Sequence, residues 1–141
     1  MLFDLISHPD ASNVLAALRE EADNVLPQAL DDPRALRNMV KMDSAIRETM
    51  RYNPMFDHGN MREIVKPGGV TTPDGLYLKQ GSHIGSVVSF MQRDPDFVKD
   101  GDKYEPLRHY NQVVNGQSDK QLSAVQISDK YLTFGLGKHA W

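Results

Sequence analysis

Met42-Asp-Ser-Ala-Ile-Arg-Glu-Thr-Met-Arg51 is the stretch on which the reading of this 141-residue chain turns. Met42, Ala45, Ile46 and Met50 recur at helical spacing and form one apolar stripe, with Arg47, Glu48 and Arg51 off it. The spacing predicts a helix from about Met42 to Tyr52. Asn53-Pro54 stops it, because the residue before a proline is driven out of the α region. Glu48 and Arg51 stand at i and i+3 and therefore share a face. Taken alone, the pair reads as a solvated ion pair worth a few tenths of a kcal/mol. Glu105-Pro-Leu-Arg108 repeats the spacing, where Pro106 argues against an interior helical pair.

Upstream, Val14, Leu15, Leu18, Ala22 and Val25 recur at spacings of three and four, with Arg19, Glu20 and Glu21 on the opposite side. This predicts an amphipathic helix that starts after Pro9 and ends at Pro27. Asp32-Pro33 signals a second, short helix to about Met39. The opening run of Leu2, Phe3, Leu5 and Ile6 reads either as the apolar end of a buried helix or as a short core segment.

Downstream of Pro54 the composition shifts toward glycine and proline. Arg62 to Lys66 fits a strand, and Thr72-Pro-Asp-Gly75 is a turn in which proline presets φ and glycine takes the positive φ. Leu76–Leu78 and His83–Val88 are expected to pair as a hairpin. Ser86 to Gln92 is helix-like, and residues 93 to 130 read as loop. A structureless run of that length is expected to be functional or to pack on something else.

The composition is that of an ordinary globular chain, with 40% hydrophobic and 25% charged residues. A net charge of -3 and a pI near 5.9 argue against nucleic acid or an anionic membrane as the main partner. No signal peptide is evident at the start, and no apolar run approaches the ~18 residues of a membrane span, so the chain as given is expected to be soluble. There is no cysteine, which excludes disulfides, thiolate metal sites and cysteine nucleophiles within the 141 residues.

Two further elements carry chemistry. Tyr104-Glu-Pro-Leu-Arg108-His-Tyr110 is an aromatic-Pro-Arg-aromatic element, which alone reads as a packed loop anchor. Phe134-Gly-Leu-Gly137-Lys-His139 allows close backbone approach to a flat partner, since glycine has no Cβ, and offers Lys138 and His139 to an anionic group.

The order and separation of these elements resembles the C-terminal half of the cytochrome P-450 superfamily, the haem-thiolate monooxygenases. Gly68-Gly-Val-Thr-Thr-Pro-Asp-Gly75 and Arg93-Asp-Pro95 are nearest in flavour to filamentous-fungal members acting in secondary metabolism. The resemblance implies a mainly α fold with a small β region, forming part of a larger haem-enclosing domain. It divides the chain into a helical segment 1–53, a β-hairpin region 54–92, a meander loop 93–130 and a truncated haem-binding loop 131–141. It implies a buried ion-pair triad of Glu48, Arg51 and Arg108, with Arg62 and His139, and less strongly Lys138, at the haem propionates. Phe134, Gly135 and Gly137 belong by the same token to the haem loop.

The implied activity is insertion of one oxygen atom of O2 into a lipophilic small molecule, with iron-bound haem as cofactor and a reductase as electron donor. Full-length members are usually anchored in the endoplasmic reticulum membrane. One departure is decisive for chemistry. The family's axial cysteine falls two residues after the histidine, where this sequence has Trp141, and indole offers iron no lone pair. Gln92 stands where a histidine is common, a tolerable change. The chain itself is therefore expected to be inactive, without thiolate-ligated haem and with no catalytic residue of its own. It is expected to be a truncated or mis-spliced product of a monooxygenase locus, or part of a split gene model; the alternative is a non-catalytic remnant or small interaction module without haem.

Overall fold

Pro9 and Asp10 separate two helical stretches, α1 (Leu2–Ile6) and α2 (Ala11–Ala29), in a computed structural model that describes residues 1–118 and 123–140. Val14, Leu18 and Val25 form the buried stripe of α2 that the periodicity predicts. Pro27 does not end the helix. It lies in the last turn, where its missing N–H removes one bond while Leu30 N–H still reaches Leu26 O at 3.2 Å. Asp32 caps a 3-10 segment, Pro33–Asn38, by accepting from Arg34 N–H at 3.0 Å.

Helix α3 (Val40–Tyr52) begins two residues before its apolar stripe. Its N-terminal residue offers no side-chain cap, and the cap comes from another helix. Glu21 is 8% exposed, and its carboxylate accepts from Lys41 N–H at 2.7 Å and Met42 N–H at 2.8 Å. Glu21 is thus not on the solvated side of α2. Two otherwise orphaned donors and the positive end of the α3 dipole hold it inward. Leu5, Val14, Leu18 and Ala45 pack as one cluster with Leu15, Met42, Tyr104 and Leu107 against it.

The small β region pairs differently from the expected hairpin. β1 (His58–Glu63) lies antiparallel to β4 (His83–Val87), while β2 (Val70–Thr71) pairs with β3 (Tyr77–Leu78). The Thr72–Gly75 turn explains this. Thr72 N–H bonds Leu76 O and Gly75 N–H bonds Thr72 O, with Gly75 at φ 90°, so residues 77–78 fold back on 70–71 and are unavailable to 83–87. The β1–β4 register shifts between Gly59 and Arg62, a bulge. Helix α4 is only Val88–Met91, because Ser86 and Val87 stay in β4.

Residues 93–130 are not all loop. Arg108–Val114 forms helix α5, which packs on α3. Among the described residues no helix is long and apolar enough to cross a membrane.

Glu21→Ala should destabilise the chain by about 1–2 kcal/mol in urea unfolding, through loss of the α3 cap. Glu20→Ala, one position along on an exposed side chain, should change it by less than about 0.5 kcal/mol.

Candidate functional site

A helix carrying charges off its apolar stripe ordinarily turns them to water. α3 does the reverse. Glu48 is 0%, Arg51 1%, Arg47 2% and Arg108 7% exposed, so the reading of Glu48 and Arg51 as a solvated pair is overturned. Arg51 grips Glu48 with two parallel bonds, Nε to Oε2 at 2.8 Å and Nη2 to Oε1 at 2.9 Å. Arg108 Nε donates to Glu48 Oε1 at 3.1 Å from the start of α5. The three residues singled out from the sequence therefore meet in one buried cluster.

The reason is the irregular chain beside them. Loop carbonyls cannot pair in a ladder, and buried ones must still be satisfied. Arg51 Nη1 donates to Gln92 O and Gly101 O at 2.7 Å each, and its Nη2 reaches Lys103 O at 3.0 Å. Arg108 Nη1 donates to Lys99 O, and its Nη2 to Asp100 O and Lys103 O. Arg47 Nη1 takes Ser123 O at 2.6 Å and Gln126 O at 2.7 Å, with its guanidinium 3.8 Å over the Tyr131 ring. The fork of arginine suits this, since one side chain serves several carbonyls at once. Gly101 fits because a Cβ there would lie 2.5 Å from Arg93 O.

Further side chains, most of them on α3, extend the grip. Ser44 Oγ donates to Pro106 O and accepts from Tyr110 N–H, both at 3.1 Å. Asp43 accepts from Ala124 N–H, and Thr49 Oγ1 bonds the Tyr104 hydroxyl at 2.9 Å. Gln92, fully buried, accepts at Oε1 from Leu132 N–H at 2.9 Å and from Thr133 Oγ1 at 3.2 Å. The motifs do not point to Arg47, because its hydrogen-bond partners are backbone carbonyls more than 70 residues away.

Two titratable groups are displaced inside this cluster. Burial pushes the Glu48 carboxyl up, but the Arg51 hydrogen bond and charge, the Glu105 N–H and the Arg108 charge outweigh it, so the net shift is downward. His109 is pushed down to about 4, first by burial and then by the Arg47 charge, against the pull of Glu48. Its Nε2 stands 3.7 Å from Glu48 Oε2 and has no hydrogen-bond partner.

The second set of candidates is more exposed. Arg62 on β1 is exposed, and its Nη1 donates to Met61 O at 2.8 Å. Gly135 and Gly137 take positive φ, 89° and 67°, and Gly137 opens a 3-10 turn, Gly137–His139, with Lys138 exposed. A Cβ on Gly137 would meet nothing within 4 Å, so that backbone presents an open face. Phe134 is half-buried. The His139 side chain and all of Trp141 lie outside the described residues.

A small cavity of about 130 Å3 lies beside Gly135, with Gly59 and Val88 on one side and Leu132 and Thr133 on the other. The donor set suits the carboxylates of a porphyrin edge. It offers the iron no thiolate, since no cysteine exists in the chain. Nor does the cavity enclose a macrocycle, being below the roughly 300–1,000 Å3 of small-molecule sites. The residues present form one wall for such a group and supply no thiolate.

Glu48→Gln should cost roughly 3–5 kcal/mol, since it leaves two buried guanidinium groups without their anion. The pH dependence has a definite sign. Because the folded His109 holds its proton more weakly than an ordinary imidazole, its contribution to stability is full above pH 6.5 and falls as pH drops toward about 4. Glu48 adds a loss in the same direction below 4.5. His109→Phe should remove the first component, about 2–3 kcal/mol between neutral pH and pH 4, in urea titrations across that range.

The sequence model described as Cytochrome P450 matches residues 1–140. Cytochrome P450 monooxygenase efuH of Hormonema carpetanum is 34% identical over 99% of this chain and 26% of its own length. Cytochrome P450 monooxygenase lnaC of Aspergillus flavus is 33% identical over 99% of this chain and 27% of its own. The chain thus spans about a quarter of the length of these curated relatives. A cyanobacterial CYP120A1 structure, solved with retinoic acid, superposes with a TM-score of 0.64 over 92% of this chain and 26% of that one, at 21% identity. With the buried Glu48–Arg51–Arg108 cluster and a family match over nearly every residue, the chain belongs to the cytochrome P450 family.

Proposed function

We propose that this chain is the ion-paired base and one wall of a haem-dependent monooxygenase of fungal secondary metabolism. The whole enzyme would insert one oxygen atom of O2 into a lipophilic small molecule, with electrons from a reductase. In this reading Arg62, Lys138 and His139 hold the haem propionates, and Phe134, Gly135 and Gly137 form the loop against the macrocycle. Glu48, Arg51 and Arg108 catalyse nothing. They hold the backbone of residues 92–108 in place so that the loop at 131–141 has a fixed support.

The bound haem would supply oxygen activation, and the 141 residues themselves are proposed to perform no oxidation. What supports this is the absence of cysteine from the 141 residues, with Trp141 standing where the family resemblance places the axial ligand. The same observation favours a second reading, a non-catalytic remnant or interaction module that holds no haem.

Haemin titration of the 141-residue chain separates the readings, followed by reduction under carbon monoxide. A saturable change in the haem spectrum without a thiolate-type Soret band is expected, and Arg62→Ala should weaken it by about tenfold. No saturable binding would favour the remnant. A thiolate-type band would contradict both.

A further inference from the structure

A helix leaves its last carbonyls without intrahelical donors, and at the end of α3 the following chain supplies few. Asn53 N–H returns to Thr49 O at 2.7 Å, and Pro54, next in line for Met50 O, has no N–H. Side chains from two distant stretches take over. Met50 O accepts from Thr133 Oγ1 at 3.2 Å, Arg51 O from Gln92 Nε2 at 3.3 Å, and Tyr52 O from Arg93 Nε at 3.2 Å. Arg93 also brings positive charge to the negative end of the helix.

Gln92 joins the two stretches. Its N–H bonds Val88 O at 3.0 Å, and its carbonyl accepts from Arg51 Nη1 at 2.7 Å. The fully buried carboxamide faces Arg51 O at one atom and Leu132 N–H, 2.9 Å away, at the other. A carbonyl only accepts and an N–H only donates, so a single orientation of the amide satisfies both. Thr133 Oγ1 adds a donor 3.2 Å from Oε1. An aliphatic side chain at this position would leave buried polar groups unmatched, and a carboxylate would set oxygen against oxygen. Helix α4 starts at Val88 and has Gln92 as its C-cap, while Val88, Leu132 and Thr133 line the cavity beside Gly135. One short element therefore supplies Val88 on one side of that cavity and, through the amide, fixes Leu132 and Thr133 on the other.

We propose that Gln92 is the positioning residue of the 131–137 loop. Its carboxamide fixes Leu132 and Thr133 on the end of α3 and, resting on the reading of this loop as a haem wall, sets where Phe134 to Gly137 meets the macrocycle. Being buried, Gln92 reaches neither cofactor nor substrate. What the position requires is one donor beside one acceptor, without charge. A neutral imidazole meets that requirement too, with N–H at one ring nitrogen and a lone pair at the other.

Native-state hydrogen exchange on the 141-residue chain, without haemin, reads the anchoring. Gln92→Met should speed exchange of the Leu132 amide about tenfold more than that of the Glu105 amide, which Glu48 holds. Gln92→His at about pH 8, with the imidazole neutral, should restore Leu132 to within about threefold. Gln92→Asn keeps the amide but shortens its reach; it should reproduce the methionine result and replaces it if that variant does not fold. Haemin titration of the same variants reads the consequence, with affinity about fivefold weaker in Gln92→Met and recovered in Gln92→His. An unchanged Leu132 amide, equal acceleration at Leu132 and Glu105, or no recovery with histidine would overturn the anchoring. A faster Leu132 amide with unchanged haemin affinity would overturn the role toward the cofactor. If the unsubstituted chain binds no haemin, the haem-wall reading fails, and the exchange result alone decides the role of Gln92.

Discussion

Buried backbone without a ladder must find hydrogen-bond partners elsewhere, and in this chain three arginines provide them. Arg47, Arg51 and Arg108 together satisfy carbonyls of Gln92, Lys99, Gly101, Lys103, Ser123 and Gln126, among others. Guanidinium groups carry charge, so their burial requires a carboxylate; Glu48 serves Arg51 and Arg108, and the Asp43 charge acts on Arg47. The apolar cluster of Leu5, Val14, Leu18 and Ala45 is small by comparison. What organises the second half of the chain is therefore polar and directional, and it tolerates little substitution.

That arrangement connects to function through support. Gln92 holds Leu132 and Thr133, Arg47 holds the turn before Tyr131, and Tyr131 returns a hydroxyl bond to Ala124 O. The loop that follows, with Gly135 and Gly137 at positive φ, thus leaves a backbone pinned on several sides. A flat cofactor at that loop would meet a wall positioned by groups more than ten residues away from it in sequence. The same logic explains why the motif residues are spread across the chain while their side chains converge.

Local signals in the sequence are legible where the chemistry is local. Asp32-Pro33 marks a capped turn, and Thr72–Gly75 marks a reversal, because each depends on neighbouring residues alone. The strand pairing is misjudged because that reversal closes β2 on β3 and leaves β4 to seek β1. Periodicity misplaces the charged face of α3, since it assumes that charge means solvent, and here the partner is buried backbone. Glu48, Arg51 and Arg108 are found through the order of the motifs, not through amphipathicity. Glu21 and Arg47 carry no such signal, for their partners are main-chain atoms distant in sequence.

Side chains of α3, through Glu48, Ser44 and Asp43, tie the irregular second half of the chain to the helix. Native-state hydrogen exchange reads this directly at Glu105, Tyr110 and Ala124, whose N–H groups donate to Glu48, Ser44 and Asp43. These three amides should exchange as slowly as those in the middle of α3, through the same global opening. Exchange at the three sites that is orders of magnitude faster, with α3 still protected, would contradict it.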